Sequence, residues 1–98
     1  MSDESLKILV VEPDEAMQVC FKELLSQLGC NVLISDSGER GLAVLQDGYG
    51  PDAVILSLHL QGGLSANHFL MEMESNEVLK LLPVLIYTQF LAYRIKSM

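Results

Sequence analysis

The 98-residue sequence has few cations, few cysteines and no long apolar run. Six lysines and arginines stand against thirteen aspartates and glutamates, which gives a formal net charge of −7. Phosphate backbones are bound by clustered cations, so we do not expect a nucleic-acid partner. A membrane-spanning helix needs about 20 apolar residues. The longest apolar stretch, Val78 to Tyr87, is interrupted by Lys80 and Pro83, so we expect no membrane span.

Both cysteines and the first residues indicate the compartment. Cys20 and Cys30 are ten residues apart, which is not a zinc-binding spacing, and we predict that both are reduced, buried small hydrophobic residues. Residues 1–5 are acidic and polar and lack the basic and apolar regions of a signal peptide. The sequence therefore predicts a cytoplasmic protein. Its length predicts one domain, residues 1–98.

Short apolar runs alternate with helical patterns along the chain. We predict four strands, at Lys7–Val11, Asn31–Ser35, Asp52–Leu58 and Pro83–Thr88. Continuous apolar runs of this length are typical of strands that are buried on both faces. Strands separated by helices imply right-handed crossovers and a parallel sheet. The predicted fold class is α/β, a doubly wound parallel sheet.

Capping residues and apolar periodicity predict the three helices. Asp14 is the predicted N-cap of the first helix, which ends at Gly29. Asp36 and Glu39 have the spacing of a capping box for the second helix, and Ser65 is the predicted N-cap of the third. The predicted core residues of these helices are Met17, Cys20, Phe21, Leu24, Leu25 and Leu28, then Leu42, Val44 and Leu45, then Phe69, Leu70 and Met73.

Two segments together resemble the receiver domain of bacterial two-component response regulators. One is the run Pro51–Leu56, which ends at Ser57 and continues through Leu58–Gly62. The other is Leu6–Asp14 at the first predicted strand. The resemblance implies a flavodoxin-like receiver topology with strand order 2-1-3-4.

Two further segments carry the same resemblance. Ser37–Leu42 is similar to the opening of the family's second helix, and Pro83–Thr88 is similar to its fourth strand. The second match places Thr88 at the family's switch position. The order and spacing of the segments, rather than any one of them, support the assignment.

The residues at the family's functional positions differ from the family pattern. The phosphoacceptor aspartate is replaced by Ser57, and the two magnesium-holding acidic positions fall on Glu12 and Pro13, with Asp14 just beyond. Serine carries no charge and proline has no side-chain oxygen, whereas magnesium requires near-octahedral oxygen ligands. We expect a degenerate pocket with no catalytic residue, no metal and no cofactor. We prefer a solvated carboxylate at Glu12 and a helix cap at Asp14 over a weakened metal pocket.

The resemblance ends before the family's fifth strand and fifth helix. A full receiver continues through both, whereas this sequence stops at Met98. We therefore expect a truncated domain whose fourth strand is an exposed edge that pairs with another copy. The predicted interface residues of this homo-oligomer are Val84, Leu85, Ile86, Tyr87, Phe90, Leu91, Tyr93 and Ile95.

Three function classes remain open. The first is a non-phosphorylatable pseudo-receiver, not an enzyme, that binds an unidentified protein partner in two-component or phosphorelay signal transduction. The second is a fragment of a larger response regulator whose missing part or partner completes the domain. The third is a flavodoxin-like ligand-binding protein or enzyme. It is the weakest, because a fold does not specify an activity and no nucleophile–base pair or phosphate loop is recognisable.

Overall fold

The computed structural model describes residues 5–88 of the chain. The elements in chain order are β1 (Lys7–Val11), α1 (Glu15–Gln27), β2 (Asn31–Ser35), α2 (Gly38–Gln46), β3 (Ala53–Ser57), α3 (Ala66–Glu74), a 3₁₀ turn (Leu79–Leu81) and β4 (Val84–Tyr87). The predicted bounds of β1 and β2 are confirmed. Strands β3 and β4 are each one residue shorter at both ends than predicted, and the 3₁₀ turn was not predicted.

The four strands form one parallel sheet in the order β2-β1-β3-β4. Leu9 of β1 lies between Leu33 of β2 and Val54 of β3, and Val54 in turn pairs with Val84 of β4. The predicted doubly wound sheet and its strand order are therefore confirmed. The chain moves outward from β1 to β2 and then returns past β1 to β3 and β4. Right-handed crossovers in opposite directions place α1 on one face and α2 and α3 on the other.

The helix ends follow from local side-chain hydrogen bonds. The Asp14 carboxylate accepts from the backbone N–H of Met17 at 3.3 Å, which confirms it as the N-cap of α1. The Ser65 hydroxyl accepts from the backbone N–H of His68 at 3.1 Å and caps α3 as predicted. Gly29 follows α1 with φ +85°, a backbone conformation that favours glycine.

The predicted capping box of α2 is wrong by one residue. Ser37 is the N-cap, because its hydroxyl accepts from the backbone N–H of Arg40 at 3.2 Å. Ser37 has the extended backbone that an N-cap requires, and the helix begins at Gly38. Asp36 pairs instead with the Arg40 guanidinium at 3.7 Å on the protein surface, where such pairs contribute little.

The larger part of the core lies between the sheet and the pair α2 and α3. Twelve residues are buried together there, and most of them come from the sheet, α2 and α3. Val44 and Leu70 of these helices are only partly buried. The buried residues of this α2–α3 face are Leu9, Val11, Leu42, Leu45, Val54, Leu56, Ala66, Phe69, Met73, Leu79, Val84 and Ile86.

The opposite face of the sheet is packed against α1. Four buried residues form this smaller cluster, and Met17, Phe21 and Leu25 of α1 pack against it while remaining half-buried. The Phe21 ring meets the Tyr87 ring edge to face, with centroids 5.0 Å apart. The buried residues of this α1 face are Ile8, Val10, Ile55 and Tyr87.

Half of the apolar stripe predicted for α1 lies outside the core. No residue of α1 is buried, and Cys20, Leu24 and Leu28 are exposed. The prediction of a buried Cys20 is therefore wrong, and Cys30 is only half-buried. The physical reason is that a helix packs on the sheet through one side only. The apolar stripe of α1 is wider than that side, so part of the stripe faces solvent. Within residues 5–88, no helix has the length and apolarity needed to cross a membrane.

Candidate functional site at the carboxyl ends of the strands

The carboxyl ends of β1, β3 and β4 bring three of the predicted site residues to one edge of the sheet. Glu12 follows β1, Ser57 ends β3 and Thr88 follows β4. The register aligns them, because Val11 pairs with Leu56 and Ser57 pairs with Tyr87. Glu12, Ser57 and Thr88 are 1%, 3% and 8% exposed. This edge is where open parallel sheets place their binding sites, but here its polar side chains are buried.

Glu12 is held by hydrogen bonds from three sides. Its Oε2 accepts from the backbone N–H of Asp14 at 2.7 Å, and its carbonyl oxygen accepts from Gln18 Nε2 at 2.7 Å. Its own N–H donates to the carbonyl oxygen of Ser35 at 2.9 Å. The prediction of a solvated carboxylate at Glu12 is therefore wrong. The β1 strand ends under the first turns of α1, so that the side chain lies inside the fold rather than at its surface.

The second carboxyl oxygen of Glu12 is buried without a hydrogen-bonding partner in the described part of the chain. Burial raises the pKa of Glu12, since the ionised form loses its hydration. The hydrogen bond from the Asp14 N–H opposes this rise in pKa, the Asp14 carboxylate adds to it, and the Ser57 hydroxyl opposes it. The Ser57 hydroxyl is thus close enough to act on the carboxyl group, although it forms no hydrogen bond to Oε1.

Ser57 takes part in a local turn. Its hydroxyl oxygen accepts from the backbone N–H of His59 at 3.3 Å, two residues further along the chain. Short side-chain bonds of this kind organise the chain where a strand ends. Ser57 therefore lies at the junction of β3 with the segment that leads to α3.

The oxygen atoms at this edge do not fit a magnesium ion. Glu12 Oε2 is occupied by the Asp14 N–H, Oε1 is sealed from solvent, and the Asp14 carboxylate caps α1. Pro13 contributes no side-chain oxygen. Magnesium keeps several of its waters and demands octahedral geometry, which a sealed single oxygen cannot supply. Residues 5–88 also contain no cluster of three histidine, cysteine, aspartate or glutamate side chains that could hold a metal.

Of the four predicted interface residues on β4, only one is exposed in the structure. Val84, Ile86 and Tyr87 are buried in the chain's own core, whereas Leu85 is 42% exposed. Within residues 5–88, β4 pairs with β3 and with no second strand, so its outer edge faces away from the sheet. The other predicted interface residues lie outside the described residues: Phe90, Leu91, Tyr93 and Ile95.

Neither the family models nor the curated proteins that were compared match this sequence. Solved structures do match it. A putative response regulator from Chloroflexus aurantiacus superposes with a TM-score of 0.79 and 24% sequence identity, over 85% of this chain and 66% of that one. A response regulator receiver domain protein from Clostridium thermocellum has a TM-score of 0.76 and 27% identity, over 85% of this chain and 64% of that one.

The chain has a receiver-domain fold. The receiver domain of the sensor histidine kinase PA1611 from Pseudomonas aeruginosa is a third similar structure, with a TM-score of 0.75, 23% identity and coverage of 84% of this chain and 66% of that one. That structure has a magnesium ion coordinated in its active-site cleft. The chain spans about two thirds of the length of each of these three structures.

Sequence reasoning missed two residues of the receiver fold's carboxyl edge. Gln18 closes over the end of β1 through its bond to the Glu12 carbonyl, and Ser35 accepts from the Glu12 N–H. A polar Gln18 immediately beside the apolar Met17 was the available signal, since it marks the border of the buried stripe. Nothing in the sequence marks the Ser35 bond, because it uses a backbone oxygen.

Proposed function

We propose that this receiver-fold chain is a pseudo-receiver of two-component or phosphorelay signalling that accepts no phosphoryl group and acts by binding another protein. The observation that carries the proposal is Ser57. It stands at the carboxyl end of β3, where the family resemblance places the phosphoacceptor, and it is buried, uncharged and bonded to the His59 N–H.

The chemistry around Ser57 supports an inactive acceptor. A serine hydroxyl is a weak nucleophile unless an adjacent base removes its proton. Glu12 is the carboxyl group beside Ser57, but its Oε2 accepts from the Asp14 N–H, and its Oε1 is buried without a hydrogen bond to the Ser57 hydroxyl. The Ser57 side chain is nearly inaccessible to a phosphodonor, and the surrounding oxygens do not fit magnesium. The same features argue against an enzyme that uses this edge.

The proposed partner is a protein, and the proposal includes self-association. Val19 and Leu24 are exposed large hydrophobic residues on α1, Leu28 is exposed at its C-terminal end, and Leu85 is exposed on β4. Leu24 and Leu28 are four residues apart and therefore neighbours on one side of the helix, and exposed apolar patches are typical of protein interfaces. The β4 edge can pair with a second copy, as strand edges do. We place the protein in the cytoplasm, which the two free cysteines favour.

Phosphoryl transfer is tested by incubating the full chain with acetyl phosphate and magnesium, or with a sensor kinase. We expect no stable labelling of the wild type. Ser57→Asp alone should remain poorly labelled, since Pro13 leaves the metal site incomplete, whereas Ser57→Asp combined with Pro13→Asp should label better. Stoichiometric labelling of the wild type contradicts the proposal, and full labelling of Ser57→Asp alone refutes the part assigned to Pro13.

Self-association is tested by sedimentation at micromolar concentration. We expect a dimer or larger assembly that Leu85→Lys dissociates, because the new charge would lie at the paired edge. Leu81→Lys is the matched control, since Leu81 is exposed in the 3₁₀ turn rather than on β4. A well-folded monomer would rule out self-association and leave the phosphoryl-transfer result unaffected.

A further inference from the structure

A cleft between α3 and β4 lies on the α2–α3 face of the sheet, and we name it the α3–β4 cleft. It has a volume of about 120 Å³ and is partly open to solvent. An apolar cavity of about 150 Å³ binds benzene, so this cleft has room for a large apolar side chain. Its apolar lining residues are Leu70, Met73, Leu79, Leu82 and Val84.

The elements that line the cleft also expose apolar side chains. Met71 of α3, which follows the lining residue Leu70, is 65% exposed. Leu81 of the 3₁₀ turn, which precedes the lining residue Leu82, is 76% exposed. Exposed apolar surface with a polar rim is typical of interaction sites. The cleft and its surroundings therefore have the character of a binding surface.

The rim of the cleft carries an acid that can pair with a cation. Glu74, near the end of α3, lines the cleft together with Lys80. The Lys80 ammonium group pairs with the Glu77 carboxylate at 3.2 Å. The ion pairs described in residues 5–88 do not include Glu74. A cationic segment in the cleft would therefore meet the Glu74 carboxylate.

Residues 89–98 have the complementary composition. Arg94 and Lys96 are two of the six cations of the chain, and residues 89–98 contain no aspartate or glutamate. The chain as a whole is acidic, with a formal net charge of −7. The segment is thus apolar and cationic, whereas the cleft is apolar with an acid at its rim. The aromatic and branched aliphatic residues of the segment are Phe90, Leu91, Tyr93 and Ile95.

The segment also begins close to the cleft. Thr88 directly follows β4, and Val84 at the start of the same strand lines the cleft. A strand rises about 3.3 Å per residue, so Thr88 is about 13 Å from Val84. Ten residues span about 15 Å as a helix and about 35 Å when fully extended, so residues 89–98 reach the cleft in either case. A short tether of this kind gives an effective concentration in the millimolar range.

We propose that residues 89–98 bind in the α3–β4 cleft of their own chain. Apolar side chains of the segment fill the cleft, and its cations pair with Glu74 at the rim. A partner protein that uses this cleft must therefore displace residues 89–98.

This contact is independent of the function proposed above. It lies on the α2–α3 face, whereas Leu85 pairs in register with Ile55, which is buried on the α1 face. Leu85 therefore stays available for self-association when the cleft is filled. The contact also uses none of the residues at the carboxyl edge of the sheet.

The first test measures NOEs in the full chain between residues 89–98 and the methyl groups of Met73, Leu82 and Val84. We expect NOEs from at least one aromatic or aliphatic side chain of the segment to these methyl groups. An isotope-filtered spectrum of mixed labelled and unlabelled chains separates contacts within a chain from contacts between chains. The absence of these NOEs, or their presence between chains only, would overturn the proposal.

The second test measures the rate at which trypsin cleaves the full chain after Arg94 and Lys96. Cleavage requires release of the segment, so its rate reports the released fraction. Glu74→Gln should raise the rate about 1.4-fold to 5-fold, the range that exposed ion pairs produce. Glu72→Gln is the matched control, since Glu72 is an exposed acid of the same helix that does not line the cleft, and it should leave the rate unchanged. Equal rates in Glu74→Gln and Glu72→Gln would contradict the pairing at the rim.

Discussion

The two faces of the sheet are covered to very different degrees. On the α2–α3 face, twelve residues are buried together, and Phe69 has no exposed surface. On the α1 face, four residues are buried, and α1 itself contributes none of them. Both faces are built from strands with the same continuous apolar composition. The difference therefore comes from the helices that cover the sheet rather than from the strands.

The strand order explains this asymmetry. One crossover, from β1 to β2, places a single helix on the α1 face, whereas the two later crossovers place α2 and α3 on the other. A helix is about 10 Å wide and neighbouring strands are about 4.8 Å apart, so one helix covers roughly two strands. Leu24 on the outer side of α1, Leu28 at its C-terminal end and Leu85 on β4 remain exposed. Stability should accordingly be concentrated on the α2–α3 face.

The largest expected effect is at Phe69. Phe69→Ala removes a fully buried ring from the α2–α3 face and should cost about 3–5 kcal/mol of the unfolding free energy. Phe21→Ala removes a half-buried ring from the α1 face and should cost only about 1–2 kcal/mol. Urea denaturation measures both, and the Phe→Leu pair serves if either alanine variant is unfolded. Equal losses would show that the two faces are equally important for stability.

A smaller loss is expected from a methyl group added at Gly41. A Cβ there would lie 2.9 Å from Val11 Cγ2 and 3.1 Å from the Phe69 ring. The strain of overpacking, about 1–3 kcal/mol, should exceed the gain in helix propensity of about 1 kcal/mol. Gly50→Ala is the control, since its Cβ would have no neighbour within 4 Å. A stabilised Gly41→Ala would mean that the α2–α3 face is less tightly packed than its burial indicates.

On the α1 face, removal of one polar atom should raise stability. The Tyr87 hydroxyl is buried with no hydrogen-bonding partner in residues 5–88. Tyr87→Phe removes this unsatisfied group and keeps the ring that packs on Phe21, so we expect a gain of about 1 kcal/mol. Thermal and urea unfolding both measure it. A loss of stability would show that the hydroxyl has a partner on this face.

The smallest effect is expected on the uncovered side of α1. Leu24 is 54% exposed, so Leu24→Gln should change the unfolding free energy by no more than about 0.5 kcal/mol. Leu25→Gln is the matched comparison, because Leu25 packs against the buried residues of the α1 face and should cost clearly more. If Leu24→Gln costs as much as Leu25→Gln, then the exposed side of α1 is covered in solution.

The local features of the fold were predictable because their causes are local. The caps at Asp14 and Ser65 and the turn at Gly29 depend on residues within one helical turn, and the structure has them as predicted. The strands were predictable because uninterrupted apolar runs indicate burial on both faces, and only their ends differ by one residue. The sequence did not distinguish the two possible caps of α2, because Asp36 and Ser37 are adjacent and both are good capping residues.

The position of the candidate site was predictable from the sequence, but the burial of its side chains was not. The order of the strands brings Glu12, Ser57 and Thr88 to one edge, as the family resemblance implies. Their burial was not predictable, because it depends on how Gln18 and the first turns of α1 close over the end of β1. The orphaned Glu12 oxygen and its raised pKa follow from that closure rather than from the residue type.

The sequence by itself determined the four strands, the three α-helices, the parallel sheet and the identity of the residues at its carboxyl edge. The helices and strands follow from propensity, capping and hydrophobic periodicity, which act over a few neighbouring residues, whereas the residues at the carboxyl edge follow from the family resemblance. Only the tertiary structure decided that Leu24 and Leu28 stay exposed while the acid Glu12 is buried. Periodicity states which side of a helix is apolar, but the amount of sheet available to cover that side depends on contacts between elements distant in sequence.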